Sequence, residues 1–489
     1  MLLKPKKLRL NTRQPIGMWS ILAAMLLYSL SLTAVFVSID SYLFLFSPYT
    51  DQTINYNILT NTVLFATCGI IGGIIAHLIG HKRTTILGIL YSATGLFLLI
   101  MNNLAFIGIS VYIVGAGLTI PSLYTSLSFL YTQDDPRRHA GFTLVFMGGI
   151  LGSFLGITLI ETLLQLIGYS QFYALMALIT VITALVYLAA NVHLSNRQTL
   201  LEDSYSSNHK ISPYSMLIVL VLISIFIRSL ISQPKILTAI ALVLCITSLG
   251  VLVLSIGIIK EKNQKRRFIA LIILMIFSLL FWLVERMSVI IFIQYGNLLT
   301  NNQSLFNLNF LPSNFVLQLN TLLVLIIGTI SAILWNKNKS RQHIKRITRL
   351  IALSLLLSAF SFSCLFATIW FELNDLLFYS TLLLIITVVF GSIAQVLLIP
   401  LYYAIVGKLA PRQYESLIMG FFFAIVAGTG VIALKFNDEI ITKEFSHHDM
   451  IFFKFSYFAI CLILFLSAFS LLILARLWQK RTIKSGKIL

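Results

Sequence analysis

The chain has 489 residues, 58% of them hydrophobic and only 10% charged, with 35 Lys and Arg against 16 Asp and Glu for a formal net charge of +19. With a mean hydropathy of +0.94 it falls outside the soluble and disordered classes and reads as a polytopic membrane protein. Its basic residues gather in alternate connections, so the charge reads as a topology signal and not as a nucleic-acid footprint.

A membrane-spanning helix needs about 20 mostly apolar residues, because lipid satisfies no backbone polar group. The basic start, with Lys4, Lys6, Lys7, Arg9 and Arg13, leads into an apolar run too long for a signal-peptide core, so the first helix is expected to remain as an anchor. Hydropathy broken at polar clusters predicts spans near 18–46, 55–79, 84–101, 104–131, 140–164 and 169–191. A polar linker with Glu202, Asp203 and serines from Ser204 to Ser207 then precedes two spans near 213–231 and 235–259. Six more are predicted near 268–293, 313–335, 347–370, 376–407, 416–436 and 450–476. The expected plan is all-α with 14 transmembrane helices: an N-terminal six-helix bundle over 1–192, a linker and two-helix hairpin over 193–267, and a C-terminal six-helix bundle over 268–489.

Basic residues crowd the N-terminus, His81 to Arg83, Arg137 and Arg138, Lys260 to Arg267, Lys337 to Arg349, Lys408 to Arg412 and the tail from Arg476 to Lys487, which assigns these sides to the cytoplasm. The opposite connections are nearly free of Lys and Arg, and an even number of spans places both termini inside. All four cysteines, Cys68, Cys245, Cys364 and Cys461, fall in predicted spans and read as small packing residues. All eight histidines map to loops, termini or the very ends of spans, which argues against a histidine relay within the membrane. His447, His448 and Asp449 lack a second ligand cluster, so no metal and no cofactor is expected. No phosphate-cradling loop, dinucleotide fingerprint or metalloprotease helix is present, which disfavours ATP-driven pumping and enzymatic activity.

The stretch Asp134-Asp135-Pro136-Arg137-Arg138-His139-Ala140-Gly141-Phe142-Thr143 is a short charged loop that opens into Met147-Gly148-Gly149-Ile150-Leu151-Gly152-Ser153-Phe154-Leu155. It resembles the signature of the proton-dependent oligopeptide transporter (POT) family, a branch of the major facilitator superfamily. Other patches look like the family in matching order. The run from Gly72 and Gly73 through His77 and Gly80 to Arg83 resembles the superfamily's loop between helices two and three, with His77 where an acidic residue usually stands. Gly115 to Pro121 is similar to helix four, Phe281-Trp282 with Glu285 to helix seven, Asn320 through Trp335 to helix eight, and Leu409 to Arg412 with Met419-Gly420 to the loop after helix ten. The resemblance implies a major facilitator fold and a secondary carrier for a di- or tripeptide or another small polar solute, working as a monomer in a bacterial cytoplasmic membrane.

The bland readings stand beside these. Gly148, Gly152 and Gly156 form small-xxx-small pairs of the kind that pack helices in membranes, and Pro121 and Pro400 are either gate-shaping kinks or tolerated breaks.

Proton coupling needs a carboxylate that changes protonation in the cavity, poised by a nearby cation. The resemblance implies an ExxER pattern in helix one, a lysine in helix four and a glutamate in helix ten. At those places this chain carries Met25, Tyr28 and Ser29, then Ile120, then Gln395. Glutamine keeps the shape of glutamate without its titratable proton, and isoleucine removes a cation. Asp40, Glu161, Arg228, Glu285, Arg286 and Lys454 remain ionisable within the spans. The first three and Lys454 read as residues near helix ends, where Lys454 can snorkel. Glu285 and Arg286 sit well inside the seventh span and are the best coupling candidates. Adjacent helical positions point about 100° apart, so the two are not expected to form a direct face-to-face pair, and at least one is expected to seek a partner on another helix. Besides transport, with or without protons, the sequence leaves room for a non-transporting sensor or scaffold and for a carrier of an amino acid, organic acid or drug. A passive channel would need a polar stripe, and Asn61, Asn320 and Gln395 are isolated.

Overall fold

The computed structural model describes residues 13–46, 57–133, 135–190, 213–231, 233–301, 315–337, 344–372, 377–441 and 447–485. The first half holds α1 (Ile16–Phe46), α2 (Asn57–Ile79), α3 (His81–Ile100), α4 (Ala105–Phe129) and α5 (Arg138–Ala189). Then come α6 (Pro213–Ile231), α7 (Pro234–Ile258), α8 (Lys262–Asn301), α9 (Phe315–Lys337), α10 (Ile344–Glu372), α11 (Leu377–Leu409), α12 (Glu415–Ile441) and α13 (His447–Ser485). Among the described residues 12 stretches are long and apolar enough to cross a bilayer, and the shorter apolar stretches Thr67–Ile79 and Ser215–Ile231 bring the total to the predicted 14.

Local chemistry sets the breaks. Gly80, with φ 90° and ψ 146°, lets α2 turn into α3 almost without a loop. Gly168, with φ 70° and ψ 171°, interrupts the 52-residue α5 and supplies the corner between the fifth and sixth spans. Proline at the first position starts α7. Buried hydroxyls fold back on their own helices, as where Ser92 donates to the Gly88 carbonyl at 2.9 Å and Thr119 to that of Gly115 at 2.8 Å.

Within the first half, α1 lies along α5 and α3 along α4; within the second, α10 packs on α11 and α13. The halves meet where α2 lies against α12 and α5 against α9. One apolar cluster runs through both, with Tyr28, Ile120 and Tyr124 on one side and Trp282, Leu355 and Tyr403 on the other. The hairpin is shared between them: Ser224 of α6 meets the Tyr91 hydroxyl of α3 at 2.8 Å, and Cys245 of α7 approaches the Ile425 carbonyl of α12 at 3.7 Å.

Candidate gate and coupling site

At one end of the molecule, here called the basic end, the starts of α1, α5 and α12 meet the ends of α4, α9 and α11. Arg138, 1% exposed, crosses from the first half to the second. Its Nε donates to the Ala404 carbonyl at 3.1 Å, its Nη2 donates to Ser128 Oγ, and Nη2 lies 3.8 Å from a carboxylate oxygen of fully buried Glu415. Arg412 answers from the other side: Nη2 donates to the Tyr131 carbonyl at 2.8 Å, Nη1 lies 3.4 Å from Glu415, and its guanidinium sits 5.1 Å from the centre of the Phe129 ring. A third tie is Gln14, which accepts from the Tyr131 hydroxyl at 2.8 Å and donates to Asn336 Oδ1 at 3.3 Å. Buried charges of this kind are tolerated only where paired and hydrogen-bonded, and here the pairing requires the two halves to be together.

Asp135 serves its own loop, accepting from the backbone N–H of Arg137 at 2.8 Å and from its guanidinium at 2.8 and 3.1 Å. That hydrogen bond makes the Arg137 guanidinium hold its proton more tightly than usual. Burial pushes the neighbouring Tyr131 hydroxyl up as well. His77 stands at the expected acidic position and makes a ring contact with Tyr414 across the halves, at 5.6 Å between centres. Gly73 permits the close approach of α2 to α12, since a Cβ there would lie 2.8 Å from the Gly420 Cα. Arg83 is exposed on α3.

Toward the middle of the spans the contact between halves becomes aromatic. Tyr124 of α4 stacks on Tyr403 of α11 with centres 3.9 Å apart and planes 14° from parallel. Each tyrosine follows an in-helix proline by three residues, Pro121 and Pro400, so the two prolines flank the ring pair symmetrically. Phe422 extends the layer to Tyr403 and to Trp282 of α8. Glu285 and Arg286 lie one turn beyond Trp282 and act electrostatically on Tyr403. Contrary to the expectation that they could not meet, Arg286 Nε reaches to 3.7 Å from Glu285 Oε2, because the long arginine side chain folds back over its neighbour. The contact is longer than a hydrogen bond, and Glu285 Oε2 is buried without a hydrogen-bond partner.

The remaining sequence candidates separate by neighbourhood. Tyr28 turns into the first half, its hydroxyl 2.8 Å from Ser92 Oγ of α3. Ser29 faces the α1–α5 seam, where a Cβ on Gly149 would lie 3.3 Å from its hydroxyl. Ile120 is packed in the same apolar cluster as Tyr28. Gly148 and Gly152 let α5 approach α1: a Cβ at Gly148 would lie 3.0 Å from Leu22 and one at Gly152 2.9 Å from the Leu30 amide. On the other side Asn320 accepts from Ser392 at 2.8 Å, and half-buried Gln395 follows three residues later on α11. Arg228 is exposed in the last turn of α6. The side chains of Asp40, Asn61, Glu161, His447, His448, Asp449 and Lys454 lie outside the described residues. Sequence reasoning missed Glu415, His139 and the Tyr124–Tyr403 pair. Glu415 and His139 each stand one residue outside a predicted span, at 416–436 and 140–164, so they were never weighed as intramembrane groups.

Comparison with known proteins fits this geometry. The dipeptide and tripeptide permease B of Salmonella typhimurium is 26% identical over 369 residues, covering 72% of each chain. A di-/tripeptide transporter of Lactococcus lactis subsp. cremoris is 24% identical over 373 residues, 72% of this chain and 74% of the relative. A solved POT family transporter in complex with 5-aminolevulinic acid superposes with a TM-score of 0.67 at 18% identity, over 95% of this chain and 96% of the other, which shows the shared fold. Bacterial relatives and the series of apolar helices make the chain a multi-pass inner-membrane protein. The model of the POT family matches residues 61–446. The chain therefore belongs to the POT family and has its major facilitator fold: it is a secondary active transporter and not an enzyme.

Proposed function

We propose that the protein carries di- and tripeptides, or solutes of similar size and polarity, into the cytoplasm, with the basic end and both termini on the cytoplasmic side. The two six-helix bundles, 1–192 and 268–489, rock about a midplane site, and the Arg138–Glu415 tie closes the inner side. The hairpin within 193–267 follows both bundles. The protein works as a monomer.

One observation carries the coupling reading: Glu285 is a half-buried carboxylate inside a span, next to the aromatic layer that joins the halves, and one of its oxygens is buried with no hydrogen-bond donor. An ionisable group inside a span beside the contact between the bundles is placed where a coupling group is needed. Arg286 supplies the nearby cation. Asn320, Ser392 and Gln395 offer neutral hydrogen-bonding groups from the C-terminal bundle. Tyr28, Ser29 and Ile120 offer the N-terminal bundle no charge, so recognition of a peptide's two ionised ends is weak from that side.

The test is uptake of labelled dialanine into proteoliposomes with and without an inward proton gradient. The gradient is expected to raise uptake. Equal uptake in both would reject symport, and no uptake or counterflow of any peptide would favour the sensor or scaffold reading.

A further inference from the structure

We propose that His139 is a proton-binding site whose occupancy is coupled to parting of the two bundles at the basic end: its ring takes up a proton when they part and releases it for them to close. This rests on the alternating-access reading above.

His139 opens α5 and is 2% exposed. Its ring lies against Trp335 of α9, in the other bundle, with centres 3.9 Å apart and planes at 45°. Neither ring nitrogen has a hydrogen-bond partner. One contact that encloses the ring therefore exists only while the bundles are together.

Among the described residues, the charged groups on the elements about it are engaged elsewhere or are cations, so a protonated ring finds no partner there. From its own helix comes Arg138, engaged with Ala404 and Glu415. From α10 comes Arg346, which acts on the ring electrostatically. From the turn before α12 comes Arg412 and from the start of α12 Glu415, held by each other and by Arg138 and Tyr131. In the preceding loop Asp135 is occupied by Arg137.

A neutral imidazole leaves one N–H and one lone pair unmet in this setting. An imidazolium would leave two N–H groups and a full charge buried, with the Arg346 guanidinium acting against it. When Trp335 withdraws, water solvates the ring and supplies the proton, and closing returns the proton to water. Proton uptake thus favours the open basic end, by up to about tenfold in the open-to-closed ratio per pH unit where the site titrates.

The experiment uses the full chain in lipid nanodiscs with spin labels at Thr132→Cys and Gln413→Cys, exposed residues that flank the Arg412 to Tyr131 contact. Pulsed EPR distances are recorded from about pH 8 to about pH 5, a range that brackets an ordinary imidazole. The long-distance population is expected to grow as pH falls. His139→Gln is expected to keep the short distance and lose the pH response, and Arg346→Gln to weaken that response, because without this cation the closed state holds a protonated ring at less cost. An unaltered response in His139→Gln, or none in the natural sequence, overturns the proposal. Where His139→Gln fails to close, a pH response in Arg346→Gln as large as that of the natural sequence overturns it instead. No substrate or flux enters the readout, so failure here leaves the transport reading standing, and failed peptide uptake leaves this site standing.

Discussion

The basic end and the mid-span layer join the same two bundles with opposite chemistry. At the basic end Arg138, Glu415 and Arg412 form a buried ionic tie with three hydrogen bonds to carbonyl and hydroxyl groups. In mid-span, Tyr124, Tyr403 and Phe422 meet as rings, with Glu285 and Arg286 beside them. The difference teaches where each strength belongs. A buried ion pair costs much to break one-sidedly and little to hydrate whole, so it suits a contact that opens to water as a unit. Stacked rings lose less on sliding and suit a layer that must rearrange around a solute.

The largest expected effect comes from breaking the ionic end alone. Glu415→Ala leaves Arg138 buried without its carboxylate, and the closed state should lose about 3–5 kcal/mol. Distances between labels at Thr132→Cys and Gln413→Cys would then shift to the long population. Replacing Arg138 and Glu415 together by Met should restore most of the closed state, and a double variant as open as the single one would show that the pair is not what holds this end.

A control within one bundle sharpens the contrast. Gly152→Ala forces α5 off the α1 backbone and should lower stability by about 1–3 kcal/mol in thermal unfolding. Gly148→Ala, whose Cβ would meet the Leu22 side chain at 3.0 Å and its carbonyl at 3.1 Å, a looser fit than at Gly152, should cost less. Equal losses would place the tight approach elsewhere along the seam.

Two smaller changes address the joining surfaces separately. Tyr403→Leu removes the stack on Tyr124 and should cost about 0.5–1.5 kcal/mol beyond lost area, read as a shift in the mid-span distance between bundles. Gln14→Ala removes the bridge between Tyr131 and Asn336 and should weaken closure by about 0.5–1.5 kcal/mol, seen as a modest gain in the long population. A Gln14 effect as large as that of Glu415→Ala would make the strap, not the ion pair, the dominant tie.

Much of this was legible in the sequence because hydropathy and charge placement are local. The 14 spans, the corner near Gly168 and the glycine seam at Gly148 and Gly152 follow from helix length and side-chain size. The pairings do not follow, because they join residues far apart in the chain. Arg138 and Glu415 are separated by 277 positions, and nothing local says that they meet. Asp135 belongs to the charged signature loop, and its carboxylate is consumed by its neighbour Arg137. Hydropathy windows also end spans early: the helices continue into the charged segments, which places Glu415 and His139 inside the packed structure. The contact of Glu285 with Arg286 was missed because a rule about helix faces neglects the reach of a flexible arginine.

The measurement that most directly tests the account is dialanine transport by Glu285→Gln in proteoliposomes, read in two modes. The account predicts that counterflow without a gradient persists, since the path and the gate remain, while accumulation driven by an inward proton gradient is lost. Gradient-driven accumulation equal to that of the natural protein would contradict it.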